Sequence, residues 1–564
     1  MKISFLFKTA VTSFALLIFC HEVKAQQTTT KTYSHADTLR GSLTPERSWW
    51  NVQRYDISVK PDYTAKTIEG KNIITYLVTA DPGRKRMQID LKAPLSIDSI
   101  LLSGSKKLNF TQNGDAWLVD VPNQKKANIQ KIEIFYHGKV HEAIRAPWDG
   151  GWIFTKDTKG RPWMTVACQG AAGASIWYPC KDHQSDEPDK GASLTITVPD
   201  SLTAVANGRL AFKNNNGNGT TSYKWVVVNP INNYCLIPYI GKYVNFTEVY
   251  SGAKGKLDIS YWVLDYNLQK AKSYMPAEVR YMLKSFEYWM GPYPFYEDGY
   301  KLIDAPHSGM EHQSAVAYGN KYQPGYGGRD ASGTGWGMKW DFIIVHESGH
   351  EWFGNNITTK DLADMWVHEG FTNYSETIYT EYRFGKEAGN AYNYGIRKGI
   401  RNDRPIIPEY NVNAQGSGDM YPKGANMIHS IRHSIDNDLL FRNIIRGLNK
   451  TFYHQTVTSK EIENYISKQA GYDYSKVYDQ YLRTTQIPEL ELRFNLAKNE
   501  VAYRWRNCVK GFNLPLVLKQ KELRVKLFPS EQFQTRTLKA GEASLFEIAN
   551  IEKAYYVSVI TEQI

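Results

Sequence analysis

Two histidines and two glutamates leave few folds open to this chain. His346-Glu347-Ser348-Gly349-His350 is followed, after eighteen residues, by Glu369. On a helix, residues four apart lie one turn above each other, so His346 and His350 face the same way. Two imidazoles and one carboxylate form a three-ligand zinc set and leave one tetrahedral position open, as a catalytic site requires. Glu347 sits beside that position, where it can take a proton from water. One Zn2+ per chain is therefore the expected cofactor. The flanking residues favour buried helices over a solvated face. Asp341 can cap a start, Phe342, Ile343, Ile344 and Val345 drive burial, and Gly354 can end the helix. A second helix is expected from about Met365 to Phe384, with Asp364 as its N-cap, Glu369 in its second turn and Gly385 as its stop.

At 564 residues the chain exceeds what one hydrophobic core supports, so several domains are expected. Residues 1–25 read as a signal peptide: Lys2 and Lys8 start it, Thr9 to Cys20 is its apolar run, and Val23-Lys24-Ala25 offers a cleavage site. Cleavage there sends the mature protein to the periplasm or the extracellular space. Lipoprotein anchoring at Cys20 is disfavoured by the bulky Phe19 before it. No later stretch reaches about twenty apolar residues, so no transmembrane segment is expected. The net charge of +11 is scattered, without a basic arm or nucleic-acid motif, and no nucleic-acid partner is expected. Four cysteines remain after cleavage: Cys168, Cys180, Cys235 and Cys508. Export permits their oxidation, but three full pairings and free buried thiols all stay open. The sequence sets no oligomeric state.

The fold class expected is multidomain α+β. Residues 26–47 are polar and read as a disordered leader. Residues 48–250 carry short alternating runs, among them Tyr55 to Val59, Asn72 to Val78, Ile132 to Tyr136, Leu194 to Val198 and Tyr223 to Val228, and read as an N-terminal antiparallel β domain. The high aromatic content of 13% agrees with β-rich segments. Residues 251–484 turn helical: Leu268 to Met290 before Gly291-Pro292, then the zinc helices, then about Lys423 to Lys450 and Thr458 to Ala470. Thr458 with Glu461 makes a capping box, and Gly471 follows the end. Alternation returns over residues 485–564, in Glu489 to Phe494, Val501 to Arg506, Glu522 to Phe528 and Tyr555 to Ile560, and reads as a small C-terminal β-sandwich. No C-terminal helical domain is expected.

The spacing of His350 and Glu369 resembles that of the gluzincin exopeptidases related to aminopeptidase N and leukotriene hydrolase. Gly291-Pro292-Tyr293-Pro294-Phe295 is similar to that family's G-P-Y-P-F stretch. Trp177-Tyr178-Pro179-Cys180 with Asp186-Glu187-Pro188 is similar to its W-x-P-C…D-E-P segment. Trp366-Val367-His368-Glu369-Gly370-Phe371 resembles W-L-N-E-G-F, and Pro488-Glu489-Leu490 resembles the start of the third domain. The likeness runs from about Trp49 to Phe494. It implies a thermolysin-like α+β catalytic domain over 251–484, peptide substrates and aminopeptidase activity.

The resemblance also implies roles for single residues. Ser308-Gly309-Met310-Glu311-His312 matches the family's G-A-M-E-N signature. Glu311 would pair with the substrate's α-ammonium, and the backbone at Gly309 and Met310 would hold the peptide as a strand. Tyr421, before Lys423-Gly424, matches a catalytic tyrosine that stabilises the oxyanion, and Gln169 matches a glutamine that reaches the site from the β domain. His312 and His368 stand where the family has asparagine. The first bears on the shape of the pocket for the first substrate residue, on pH dependence and on the exopeptidase preference, and the second reads as packing or as support behind the ligands rather than as a fourth ligand. Asp361 and Asp364 are candidates to support the ligand histidines. An endopeptidase with an open cleft and an inactive peptide-binding protein are the alternatives. Epoxide hydrolysis, a property of one relative, is disfavoured by the same open cleft.

Overall fold

The computed structural model describes residues 32–563 apart from 82, 84, 85, 169–171 and 496. The signal-peptide reading and Gln169 therefore lie outside the described residues.

The leader is ordered from Ser34 onward, which corrects the expectation of disorder up to residue 47. Ser34 and Asp37 form a capping box at the start of the helix His35–Gly41, and a second short helix spans Pro45–Ser48. Arg47 is fully buried and donates to the carbonyls of Leu39, Arg40 and Ser42 and to Asp90. Those bonds satisfy both terminal nitrogens of the buried guanidinium and fix the leader to the body of the protein.

An eight-stranded sheet forms the N-terminal layer. Its order is Arg209–Asn215, Thr220–Val227, Ala192–Pro199, Trp50–Asp62, Thr67–Val78, Ile129–Lys139, Ser96–Leu102, Lys106–Leu108. Burial alternates along Thr220–Val227, as a strand with one solvated face requires. Neighbours are antiparallel except Trp50–Asp62 and Ala192–Pro199, which pair in parallel with Tyr55 opposite Ala192. A wholly antiparallel layer was expected, and this pairing departs from it because the two strands are joined by more than a hundred residues, not by a hairpin.

A five-stranded sheet follows, ordered Tyr243–Gly252, Gly255–Leu264, Tyr300–Asp304, Val316–Tyr318, Gly309–Met310. The boundary expected at 250/251 thus falls inside a strand, since the alternating pattern is the same on both sides of it. Gly309–Met310 is the edge and pairs only with Val316–Tyr318, antiparallel. Behind the sheet lies the helix Leu268–Met290, whose buried face includes Met275, Met282, Phe286 and Trp289. Beyond Arg483, Glu489–Asn495 lies between Glu500–Arg506 and Ser558–Gln563, the latter in parallel. The run expected from Tyr555 begins as a strand only at Ser558, after the helix Ile548–Ala554.

Two hydrophobic clusters organise the chain. One holds the N-terminal strands. The other extends from Tyr250 to Val557 and takes in the helices between them, so the C-terminal strands share a core with those helices. Cys168, Cys180, Cys235 and Cys508 are free thiols. Among the described residues no helix is long and apolar enough to cross a membrane.

Candidate metal centre

The helix carrying His346 spans Phe342–Gly349, and the Asp341 side chain caps it by accepting from the amide of Ile344 at 3.1 Å. It ends before Gly354. His350 is its C-cap, still in right-handed geometry with φ −64° and ψ −21°. The chain then folds back so that the carbonyl of Phe353 reaches His350 Nδ1 at 3.0 Å. Gly354 serves that turn: its φ is 133°, and a Cβ there would lie 3.2 Å from the same ring nitrogen.

The second helix spans Trp366–Phe384 and stops at Gly385, where φ is 93°. Its N-cap is Met365, without a side-chain bond, and Glu369 falls in its first turn. Asp364 belongs to the preceding 3-10 turn and accepts from Ser459 Oγ at 2.5 Å and Tyr410 OH at 2.7 Å. Asp361 caps that turn through the amide of Ala363. Neither acid supports a ligand histidine, because the turn directs both towards neighbouring loops.

His346, His350 and Glu369 each offer a ligand atom, and the three atoms lie within 4.8 Å of one another. Glu369 Oε2 is 3.4 Å from His350 Nε2 and 3.9 Å from His346 Nε2. Two donors each about 2.1 Å from one tetrahedral ion lie about 3.4 Å apart, so the spacing fits a shared zinc ion. Glu369 Oε2 is also buried without a hydrogen-bond donor, a costly state that a cation relieves. The remaining ring nitrogens are occupied. His346 Nδ1 lies 2.7 Å from Glu376 Oε1, and His350 Nδ1 has Thr372 Oγ1 at 3.1 Å besides Phe353. Such bonds leave Nε2 of both rings for the metal. Glu376 is itself held by Asn373 Nδ2 at 2.8 Å and Tyr392 OH at 2.5 Å.

Above the ligands opens a cavity of about 590 Å³ that Glu347, Tyr421, Glu311, Gly309 and Met310 also line. Burial pushes the Glu347 carboxyl up to about 7; His346 opposes this and Glu311 adds to it. A base near neutrality suits proton transfer. Tyr421 begins the helix Pro422–Ile435. That helix meets the Glu369 helix at Gly424 and Gly370, where a Cβ on Gly424 would lie 3.0 Å from the Cα of Gly370. The contact sets the Tyr421 phenol against Glu369, and burial together with that carboxylate keeps the phenol protonated. Its ring lies nearly parallel to that of His346, 6.1 Å away.

Glu311 follows the edge strand and is 6% exposed; its Oε1 accepts from Tyr234 OH at 3.1 Å. With Glu347 and His350 it forms a second group whose polar atoms lie within 4.8 Å of one another. A Cβ on Gly309 would lie 2.6 Å from Glu347 Oε1 and 2.9 Å from Ile343 Cγ2, so with this placement of the Glu347 carboxylate a side chain there requires that carboxylate to shift.

Residues 277–481 match the model of the Peptidase family M1 domain. Aminopeptidase M1 of Arabidopsis thaliana is 20% identical over 473 residues, covering 80% of this chain and 52% of that protein. Residues 277–481 form a peptidase family M1 domain. Bovine aminopeptidase N is 23% identical across 79% of this chain, and leukotriene A-4 hydrolase of Xenopus laevis 24% identical across 56% of it; the alignments cover 51% of each relative. The chain thus spans about half the length of the curated relatives it matches. An M1 zinc metallopeptidase from Deinococcus radiodurans, solved with a Tyr-Ser-Ala substrate, has the same fold with a TM-score of 0.65 at 20% identity, covering 78% of this chain and 95% of that one.

The two histidines that stand where the resemblance expects asparagine are buried. His312 Nδ1 lies 2.5 Å from Tyr239 OH, and burial, with His307 nearby, holds the ring neutral. His368 Nε2 accepts from the amide of Thr359 at 2.9 Å, and burial pulls its pKa down to about 3. Sequence reasoning missed two residues that contact candidate site residues, Glu376 beside His346 and Tyr234 beside Glu311. Glu376 lies seven residues after Glu369, two turns along one helix face, and that interval was the available signal. Tyr234 comes from the N-terminal layer and carried no local signal.

Proposed function

We propose that this chain is a zinc-dependent aminopeptidase that removes single residues from the free amino termini of peptides. The observation that carries the reading is the placement of Glu311: a buried carboxylate beside Glu347, directly after a strand edge whose backbone is free to pair with an extended peptide. His346, His350 and Glu369 would hold the metal, and zinc bound there would supply Lewis acidity to the attacking water and the scissile carbonyl. Glu347 takes the proton from the water and returns it to the leaving amine. Tyr421 donates its phenolic proton as a hydrogen bond to the oxygen on which negative charge develops. Glu311 does no bond chemistry. It fixes the α-ammonium and so selects the first peptide bond. The names of the relatives and the bound Tyr-Ser-Ala of the Deinococcus protein support a peptide substrate. The sequence of residues 1–25 supports export to the periplasm or the extracellular space, tested by sequencing the amino terminus of the mature protein.

The test compares free and N-acetylated aminoacyl substrates on protein of measured zinc content. We expect turnover of free-amine substrates only, lost with a chelator and restored by zinc. Equal cleavage of acetylated peptides would favour an endopeptidase. Full zinc occupancy without turnover of either would favour a peptide-binding protein.

A further inference from the structure

Glu311 borders a second recess besides the large cleft. This one has room for about 40 Å³, and none of the three ligand residues borders it. Such a space takes roughly three water molecules or as many side-chain heavy atoms. Tyr234, Cys168 and Met365 line it from the body of the protein, and Arg40 and Gly41 line it from the leader. The leader is laid tightly into position. Arg40 pairs with Asp182 at 2.7 Å and donates to the carbonyl of Ala172. A Cβ on Gly41 would lie 2.1 Å from the carbonyl carbon of Val412, and Asn413 N donates to the carbonyl of Asp37 at 3.1 Å. The leader thus bridges the N-terminal layer and the loop that precedes Tyr421.

We propose that residues 34–48 are a strap that walls the pocket for the substrate's first side chain and restricts the enzyme to peptides beginning with a small residue, one of at most three side-chain heavy atoms such as glycine, alanine, serine, threonine or valine. The inference rests on the aminopeptidase reading above. Glu311 lines both spaces, whereas the three ligand residues border the large cleft alone. With the scissile bond over the ligand set and the α-ammonium at Glu311, the first side chain is assigned to the recess on which only Glu311 of these groups opens. Side chains of up to three heavy atoms fit there, whereas leucine and phenylalanine overfill it. Arg40 cannot withdraw to make room without breaking its partly buried pair with Asp182, and Gly41 cannot shift because the backbone of Val412 is in contact with it.

Aminoacyl substrates bearing alanine, serine, leucine and phenylalanine test this on the full mature chain, with N-acetyl-alanyl substrate as a control. In the wild type we expect kcat/KM for alanine to exceed that for leucine by roughly tenfold or more, as a pocket closed to extra methylenes would give. Arg40→Ala should raise the leucine-to-alanine ratio by roughly tenfold. Val412→Ala, which keeps the Arg40–Asp182 pair, should raise it by a smaller factor. Zinc content and Tm identify a variant that fails to fold. A wild type that prefers leucine or phenylalanine, or a ratio unchanged in both folded variants, would overturn the proposal. Cleavage of the acetylated control as fast as the free substrate would instead overturn the aminopeptidase reading, so the two failures are distinct.

Discussion

Glu376 Oε1 stands 2.7 Å from His346 Nδ1, on the helix that also carries Glu369. One helix therefore supplies both a proposed metal ligand and a carboxylate placed to orient a second one. Replacing Glu376 with glutamine keeps the shape and removes the charge. Zinc affinity should fall by roughly 10- to 100-fold. Chelator competition checks this, and an unchanged dissociation constant would show that the contact does not tune the metal.

Glu347 lines the cleft but is not one of the three residues assigned to the zinc ion. Glu347→Gln should therefore bind zinc normally while kcat drops by a factor on the order of 10³ or more. Retained turnover in zinc-loaded protein would remove Glu347 from the proton-transfer role.

Tyr421→Phe deletes one hydrogen-bond donor and leaves the ring against His346. A loss of about 10²- to 10³-fold in kcat with little change in KM is expected. A change confined to KM would mean that the phenol binds substrate in its ground state.

Gly309→Ala puts a methyl group 2.6 Å from Glu347 Oε1. One side must yield, and displacement of a catalytic base by an ångström costs on the order of 10²-fold. Activity should collapse while Tm moves by only a few degrees. A large fall in Tm would instead mark Gly309 as a residue needed for folding.

Metal removal should be legible in stability as well as in rate. Three buried donors converge on one point, so a chelator leaves Glu369 Oε2 unpaired and lowers Tm, and added zinc restores it by roughly 3 kcal/mol at a hundredfold excess over Kd. Acid should mimic the chelator, since a proton on either imidazole competes with the ion. Calorimetry with and without chelator between pH 5 and pH 8 provides the comparison.

The parts of this molecule that were legible in its sequence are those fixed within a few residues. Asp341 caps the motif helix, Gly385 stops its partner, and Thr458 with Glu461 closes the box that starts the helix Ser459–Ala470. What escaped depends on distant partners. The order of the leader rests on Asp90, 43 residues from Arg47, and Asp182, 142 residues from Arg40. Asp364 has the composition of a cap, but Ser459 and Tyr410 recruit it. Glu376 looks like any second acid on an amphipathic helix until the fold brings His346 to it.

The contact of Gly370 with Gly424 has one more consequence. With no side chains between them, two backbones are welded at the point where an acidic ligand and a phenol emerge. Those two groups must travel as a single body, so any tightening around a bound peptide has to come from the opposite wall, where the short strand through Gly309 hangs on a single neighbour.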